Sequence, residues 1–587
     1  MAIISGIPGI PHVNRALHHR KELRESFSAI WPYLNLTLLF SLATSVLVLA
    51  PSWYMMEVYD RVVNSRNLQT LLMLTLLVAG LYAMLEGLEW VRSMVMHEAG
   101  LLMDKRLRNR VFDALFTARL RNEPAGNSTQ AMTDLRTLRD MLPSPVFLAA
   151  CDAPLALLVS VILFFMNPWL CWFAIAGALV QVLIGFFNEQ RIRKPMEEAN
   201  RHMFGAQLFA GGVLRNTQVI EAMGMLDDLR GRWLVRQRAY LTNQSQASDT
   251  AGANAALSKL VQSLLGSLLL GVGCWLTLKG ELFGSGMIVA SILGGRLLSP
   301  LVQLIAGWRQ IEGAREAWVR LDALLSDFPP EVTSMPLPPP KGLLTVENLH
   351  AAAPGSQFPI LKSLTFRVAP GDSVAVVGPS ASGKTSLARL LVGVWTPSNG
   401  KVRLDGSDVG AWNKAELGPY LGYLPQTVEL FEGTIADNIA RFGPPDPEKV
   451  RQACAMAGLD DFIAGLTDGY DTMIGEDGMF LSGGQRQRVG IARAVYGNPR
   501  LVVLDEPNSS LDEAGDRAFL NTLRALKAAG TTVIVMTHRM QVLGVLDYLL
   551  VLIDGQIRQF GPRDQVLESM QQGQAKVREP VSEGCKP

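Results

Sequence analysis

The chain has 587 residues, 49% of them hydrophobic and only 18% charged, with a mean hydropathy of +0.20. Soluble proteins carry nearer a quarter charged residues, and this length exceeds that of one ordinary domain, so a single soluble domain is excluded. A formal net charge of +1 supplies no bulk field for nucleic acid, and no nucleic-acid partner is expected.

Residues 1–29 are polar and basic, with Arg15, Arg20, Lys21 and Arg24. The apolar run behind them is too long for a cleaved signal peptide, and so short a segment is expected to hold no further folded domain. Apolar runs near spanning length then fall at about 30–52, 69–86, 145–165, 168–188, 258–278 and 283–306. Spanning a bilayer takes about 20 residues, so 30–326 is read as a six-helix membrane domain. The first run contains Pro32 and Pro51, and the last contains Gly294, Gly295, Arg296 and Pro300. Arginines and lysines crowd 92–142 and 190–240, whereas the connections Asp60–Arg66, Met166–Trp169 and Lys279–Glu281 are short. The positive-inside rule therefore places the N-terminus, both long loops and everything after the last span in the cytoplasm. The long loops read as helical extensions of the spans. Residues 212–226 read either as a short coupling helix or as plain stalk.

Arg296 lies within an apolar segment, where a charge is costly unless it faces water or a partner. Asp152 is a candidate partner. A passage lining and a structural ion pair both remain open for Arg296. Gly294 and Gly295 equally suit close helix packing. The five cysteines, Cys151, Cys171, Cys274, Cys454 and Cys585, have neither metal nor redox spacing and read as reduced structural thiols.

A proline-rich connector occupies 327–342. Beyond it, strand-like and helix-like segments alternate over 343–572, as in an α/β domain, and 573–587 reads as a polar, loose tail. The apolar strand 373–377 runs into Gly378-Pro379-Ser380-Ala381-Ser382-Gly383-Lys384-Thr385 and then a helical pattern from Ser386. That strand–loop–helix order is the context of a Walker A phosphate loop. Its glycines turn backbone N–H groups toward phosphate oxygens, and the helix N-terminus adds positive partial charge. Lys384 is placed to reach the β- and γ-phosphates of ATP, and the Thr385 hydroxyl to sit on Mg²⁺. Asp505-Glu506 ends the apolar strand Leu501–Leu504. Asp505 is read as holding Mg²⁺ through water and Glu506 as polarising the attacking water. Ser482-Gly483-Gly484-Gln485 opens a further helical pattern. It forms a second anion site that one nucleotide on one subunit does not need. It is read as capping the γ-phosphate of a second copy, with a plain helix-capping serine as the alternative.

These motifs resemble the ATPase domain of ABC transporters, over about 343–572. By that resemblance Gln426 is a Mg²⁺ and water ligand that senses the membrane domain. Ser509-Ser510-Leu511-Asp512 is a loop facing across the dimer, His538 contacts the γ-phosphate, and Gly475-Glu476-Asp477-Gly478 touches the membrane domain's intracellular loops. The family's adenine-stacking aromatic is replaced by Ala353, which puts base recognition in doubt. A six-helix membrane domain fused ahead of one such ATPase domain resembles the homodimeric ABC exporters.

Tyr54–Asn67, Ser285–Gln310 and Glu506-Pro507-Asn508 resemble more closely the permease–ATPases of type I secretion systems. The branch is the one that exports RTX proteases, lipases and similar proteins and lacks an N-terminal peptidase-like domain. What that implies is an ATP-hydrolysing exporter of unfolded proteins with a C-terminal signal. It would sit in a bacterial inner membrane as a homodimer with a periplasmic adaptor and an outer-membrane tunnel. A lipid or small-molecule exporter is the alternative. The apolar runs argue against a soluble ABC ATPase of DNA repair or translation. The intact motifs argue against a degenerate receptor or channel.

Overall fold

The computed structural model describes residues 22–121, 130–330, 335–353, 356, 358–475 and 478–578. They form two compact units, which divide at about residue 330.

The first unit is helical. Five helices are long and apolar enough to cross a membrane: Trp31–Ser65, Leu68–Leu120, Pro168–Arg215, Leu226–Leu278 and Gly284–Ala306. The pair Pro145–Asp152 and Ala156–Met166 makes a sixth span if counted as one. It is broken at a 3₁₀ turn over Ala153–Leu155, where Pro154 supplies no amide hydrogen to an α-helical ladder. Most of each span's apolar surface is exposed, as lipid-facing helices require.

The helices meet through small residues and internal hydrogen bonds. A Cβ on Gly273 would lie 2.9 Å from the Met287 backbone, so glycine is what lets helices Leu226–Leu278 and Gly284–Ala306 approach. Gly294 is likewise roofed by the Leu269 side chain, whereas Gly295 faces open space. Gln181 and Ser258, both fully buried, exchange two hydrogen bonds of 2.7 Å. Three of the long helices continue far past spanning length, and the short helix Thr217–Ala222 sits between two of them.

Two expectations are corrected here. Asp60–Arg66 is not a loop. The first helix continues through a π-helical turn, Val58–Val62, and ends only at Arg66 in the left-handed region. The charges that read as a loop are paired in place: Arg61 with Glu57 at 2.8 Å, and Asp60 Oδ2 accepting from Ser285 Oγ at 2.7 Å. Nor does Asp152 serve Arg296. It accepts a 2.8 Å bond from Arg92, which also donates to Ser41. Arg92 is 5% exposed, so its charge has the stronger need of a carboxylate, whereas Arg296 is exposed.

The second unit is α/β. A six-stranded sheet has the order β10-β9-β3-β8-β7-β6. It comprises β3 (Ser373–Val377), β6 (Leu421–Leu424), β7 (Leu501–Asp505), β8 (Thr532–Met536), β9 (Tyr548–Ile553) and β10 (Gln556–Pro562). All its pairings are parallel except β9–β10. An antiparallel sheet of order β2-β1-β4-β5 joins β1 (Leu344–Ala352), β2 (Pro359–Val368), β4 (Asn399–Leu404) and β5 (Ser407–Asp408).

Alternation along the parallel strands divides the core. Val374, Val376, Val503 and Ile534 pack toward the antiparallel sheet and helix Lys384–Leu391. Ala375, Val502, Leu504 and Val535 pack toward helices Pro447–Ala457, Gly483–Val495 and Glu513–Ala528. Both faces are covered, so these strands are continuously apolar rather than alternating in sequence. The last helix, Arg563–Arg578, runs past residue 572, where a loose tail was expected.

Candidate nucleotide site

The phosphate loop leaves the carboxyl end of β3 and enters helix Lys384–Leu391. Its glycines answer to sterics. A Cβ on Gly378 would fall 2.0 Å from the Leu552 carbonyl oxygen. Gly383 has φ +101° and would press a Cβ against Leu361 at 2.6 Å. Lys384 Nζ donates to the carbonyls of Gly378 and Pro379 at 2.9 and 3.0 Å. The ammonium is thereby held across the loop rather than pointing away from it. Pro379, Ser380, Ala381 and Ser382 complete the turn, with Ala381 at φ +65°. The buried Ser382 Oγ finds no partner among the described residues.

Asp505 ends β7 beside this loop and is 1% exposed. Neither carboxylate oxygen has a well-formed hydrogen bond among the described residues. Burial raises its pKa above the ordinary value. The Thr385 hydroxyl opposes this, Glu506 adds to it, and the Arg389 and Lys384 charges oppose it more weakly. An unpaired buried carboxylate is expensive, so a cation at this position would relieve a cost the fold otherwise carries.

Glu506 is the first residue beyond the strand. Its φ of +48° lies in the left-handed region, uncommon for a side chain of this size. Its N–H donates to the Met536 carbonyl at 3.0 Å. The carboxylate is held from one side and faced from the other: Gln426 Nε2 donates to Oε2 at 3.1 Å, and His538 Nδ1 lies 4.0 Å from Oε1. Gln426 follows β6 and His538 follows β8, so the ends of three sheet strands converge on one carboxylate. A cavity of about 620 Å³ opens beside Gln426 and Thr385, with Arg389, Arg441 and Arg493 on its walls.

Ser482, Gly483, Gly484 and Gln485 form a separate group. Ser482 caps helix Gly483–Val495 in a reciprocal box: its Oγ accepts from the Gln485 amide, and Gln485 Oε1 accepts from the Ser482 amide. Gly484 lies against Ser510, since a Cβ there would be 3.1 Å from its carbonyl oxygen. Asp512 caps helix Glu513–Ala528 through the Gly515 amide at 2.8 Å. No hydrogen bond among the described residues joins Ser482 or Gln485 to the phosphate loop of the same chain.

One contributor escaped the sequence reading. Gln487 is 4% exposed, and its Nε2 donates to the Pro507 carbonyl at 2.8 Å, tying helix Gly483–Val495 to the backbone beside Glu506. The signal was present: Gln487 shares a helical stripe with the buried Gly490, Ile491 and Ala494, and a polar residue on a buried stripe needs a partner. Glu476 and Asp477 lie outside the described residues, as does Cys585. Cys454 is buried and its thiol is pushed up to about 12, so it stays protonated and unreactive.

Residues 361–509 match the ABC transporter family, and residues 34–296 match the ABC transporter transmembrane region. The chain is 38% identical, over 90% of its own length and 91% of the relative's, to the type I secretion system ATP-binding protein PrsD of Rhizobium meliloti (strain 1021). This chain belongs to the ABC exporters related to type I secretion ATP-binding proteins. The exporter is also 26% identical to the leukotoxin translocation ATP-binding protein LktB of Mannheimia haemolytica, over 91% of this chain and 76% of that one. Its fold matches a bacterial Atm1-family ABC exporter solved with ATP bound, at a TM-score of 0.81 and 25% identity, covering 95% of this chain and 100% of that one. The exporter is thus a multi-pass inner-membrane protein whose C-terminal cytoplasmic domain binds ATP and couples its hydrolysis to transport.

Proposed function

We propose that the exporter drives unfolded proteins with a C-terminal signal across the inner membrane, as the permease–ATPase of a type I secretion system. The observation that carries this is its similarity to PrsD along nine-tenths of the chain, membrane domain included. RTX proteases, lipases and similar proteins are the substrate class. A periplasmic adaptor and an outer-membrane tunnel would continue the path.

The working unit is a homodimer. Each ATP would be held by Gly378–Ser386 of one copy, through Lys384 and Thr385, and capped by Ser482–Gln485 of a second copy, with Asp512 at the same seam. A site split in this way gives the N-terminus of helix Gly483–Val495 an anion to face, where no hydrogen bond among the described residues ties Ser482 to the phosphate loop of the same chain. Thr385, Gln426 and Asp505 offer the oxygen donors that Mg²⁺ requires, and the unpaired carboxylate of Asp505 fits a cation. Bound there, Mg²⁺ would neutralise phosphate charge. Glu506 would accept the proton of the attacking water, with Gln426 orienting its carboxylate and His538 facing the γ-phosphate. ATP binding favours one of two membrane conformations, and hydrolysis releases it.

The test is reconstitution in a cell supplied with candidate adaptor and tunnel proteins. An RTX-type protein should reach the medium and should stay inside once its C-terminus is removed. Transport of lipid or drug without any adaptor would instead make this a small-molecule exporter.

A further inference from the structure

His538 stands opposite Glu506 with no hydrogen bond to its ring among the described residues. Its side chain is 66% exposed, and Nδ1 lies 4.0 Å from the Glu506 carboxylate. Where the ring sits is therefore set by its two neighbours in the chain. Thr537 is 1% exposed, and its amide donates to the Val376 carbonyl at 3.2 Å, which ties it to β3. Arg539 is the other neighbour. Its amide donates to Thr537 Oγ1 at 3.1 Å, folding the three residues into a turn, and its guanidinium is paired with Asp516.

Asp516 is a firm post for that pair. It lies in the first turn of helix Glu513–Ala528, and its amide donates to the Asp512 carbonyl at 2.8 Å. A carboxylate at that end of a helix is favoured by the helix dipole. The Asp516 side chain is 17% exposed, and its buried Oδ1 has no partner among the described residues. The Arg539 guanidinium is thus the cation that compensates this carboxylate among the described residues.

The pair closes a ring of connections around the site. Glu506 leads through residues 507–512 into the helix that carries Asp516. Asp516 holds Arg539, Arg539 carries His538, and His538 faces Glu506. A partly exposed ion pair adds little to stability. One that anchors the chain beside an unbonded ring acts on geometry instead, and a displacement of about 1 Å can cost about 10²-fold in rate.

We propose that Asp516 and Arg539 are positioning residues for ATP hydrolysis, which hold the His538 ring opposite Glu506. This rests on the reading of His538 as the group that meets the γ-phosphate.

The purified full-length exporter is assayed for steady-state and single-turnover hydrolysis, ATP binding and thermal melting. Asp516→Ala should lower kcat about tenfold and leave the KM for ATP and ATP affinity close to wild type. Arg539→Ala should do the same, and the two together should cost no more than either. Asp516→Glu keeps the charge and should regain most of the rate. In a His538→Ala background the loss caused by Asp516→Ala should vanish from the single-turnover rate, because no ring is left to position. Wild-type kcat in Asp516→Ala and Arg539→Ala overturns the inference. A fall in ATP affinity and melting temperature along with kcat, not regained by Asp516→Glu, makes the pair a support of the domain and also overturns it. So does an undiminished tenfold loss on top of His538→Ala. Wild-type turnover by His538→Ala alone would remove the reading of His538 itself, and the inference with it.

Discussion

Gln426 and Glu506 are joined by a 3.1 Å hydrogen bond across the ends of β6 and β7. The amide nitrogen of one holds a single carboxylate oxygen of the other, so the second oxygen is left toward His538. One hydrogen bond thus holds one oxygen of a carboxylate whose backbone is already restricted by a left-handed φ, and His538 stands 4.0 Å from the other oxygen. Such positioning costs conformational freedom and is sensible only if the carboxylate's direction matters.

Glu506→Gln should therefore bind ATP at near wild-type affinity while hydrolysing it roughly 10²–10⁴-fold more slowly. The amide keeps the shape and loses the proton acceptor. Gln426→Ala should cost less, about tenfold, because it frees the carboxylate without removing it. Filter binding and steady-state phosphate release measure the two separately. Full turnover by Glu506→Gln would take Glu506 out of the reaction.

Asp505 gives a prediction of opposite sign for stability and for activity. Its pKa is raised, chiefly by burial. A carboxyl raised in the folded state is penalised in its charged form. The penalty is absent below the ordinary carboxylate range, about pH 4. It grows as pH climbs through the folded value and is complete above it. Asp505→Asn should then melt several degrees higher than wild type at neutral pH without nucleotide, and the gain should shrink toward acid pH. The same variant should lose most Mg²⁺-dependent hydrolysis. Thermal melts across pH, set beside ATPase rates, check both halves.

Between helices Gln130–Met141 and Trp308–Asp327, Asp134 and Arg320 form a two-point ion pair at 2.8 and 2.9 Å, with Asp134 only 2% exposed. The Asp134 hydrogen bond raises the arginine's pKa against the opposing effect of burial. Arg320→Met would leave a buried carboxylate unpaired. The usual cost is about 3–5 kcal/mol for a fully buried pair. Arg320 is two-fifths exposed, so solvent screening brings the expectation to roughly 2 kcal/mol. Adding Asp134→Leu should recover most of the loss. Urea denaturation of the two variants decides, and no recovery in the double variant would show that packing, not charge, sets the cost.

The two halves differed in how much the order of residues disclosed. In the ATPase half, glycines, a lysine and carboxylates at strand ends are dictated by local chemistry, so Gly378, Lys384, Thr385, Asp505 and Glu506 stand out along the chain as a candidate site, which the structure draws around the ends of β3 and β7. Gln487 was missed because its partner, the Pro507 carbonyl, is 20 positions away and backbone atoms leave no mark in a sequence. In the membrane half, hydropathy gave the spans but not their pairings. Arg92 and Arg296 look alike along the chain. Only the packing shows that Arg92 is buried beside Asp152 while Arg296 is exposed. The π-helical turn at Val58–Val62 was also invisible, since an inserted residue in a helix has no composition of its own.

That difference separates two variants that otherwise look equivalent. Asp152→Ala strips a buried guanidinium of its carboxylate, leaving it, among the described residues, the 2.9 Å bond to Ser41. It should lower the yield of folded exporter and its melting temperature, because an unpaired charge inside a membrane bundle is among the costliest defects. Arg296→Met removes no ion pair found among the described residues and adds an apolar side chain to an apolar helix. It should fold and melt as wild type. If Arg296 lines the polypeptide passage, secretion should fall several-fold at unchanged levels of folded exporter, with ATP hydrolysis retained. The measurements are the secreted protein in the medium, the detergent-solubilised exporter by size-exclusion chromatography, and its thermal melt. Normal secretion by Arg296→Met would exclude it from the passage. Reduced melting would return it to the role of a structural charge, with a partner supplied by the second copy.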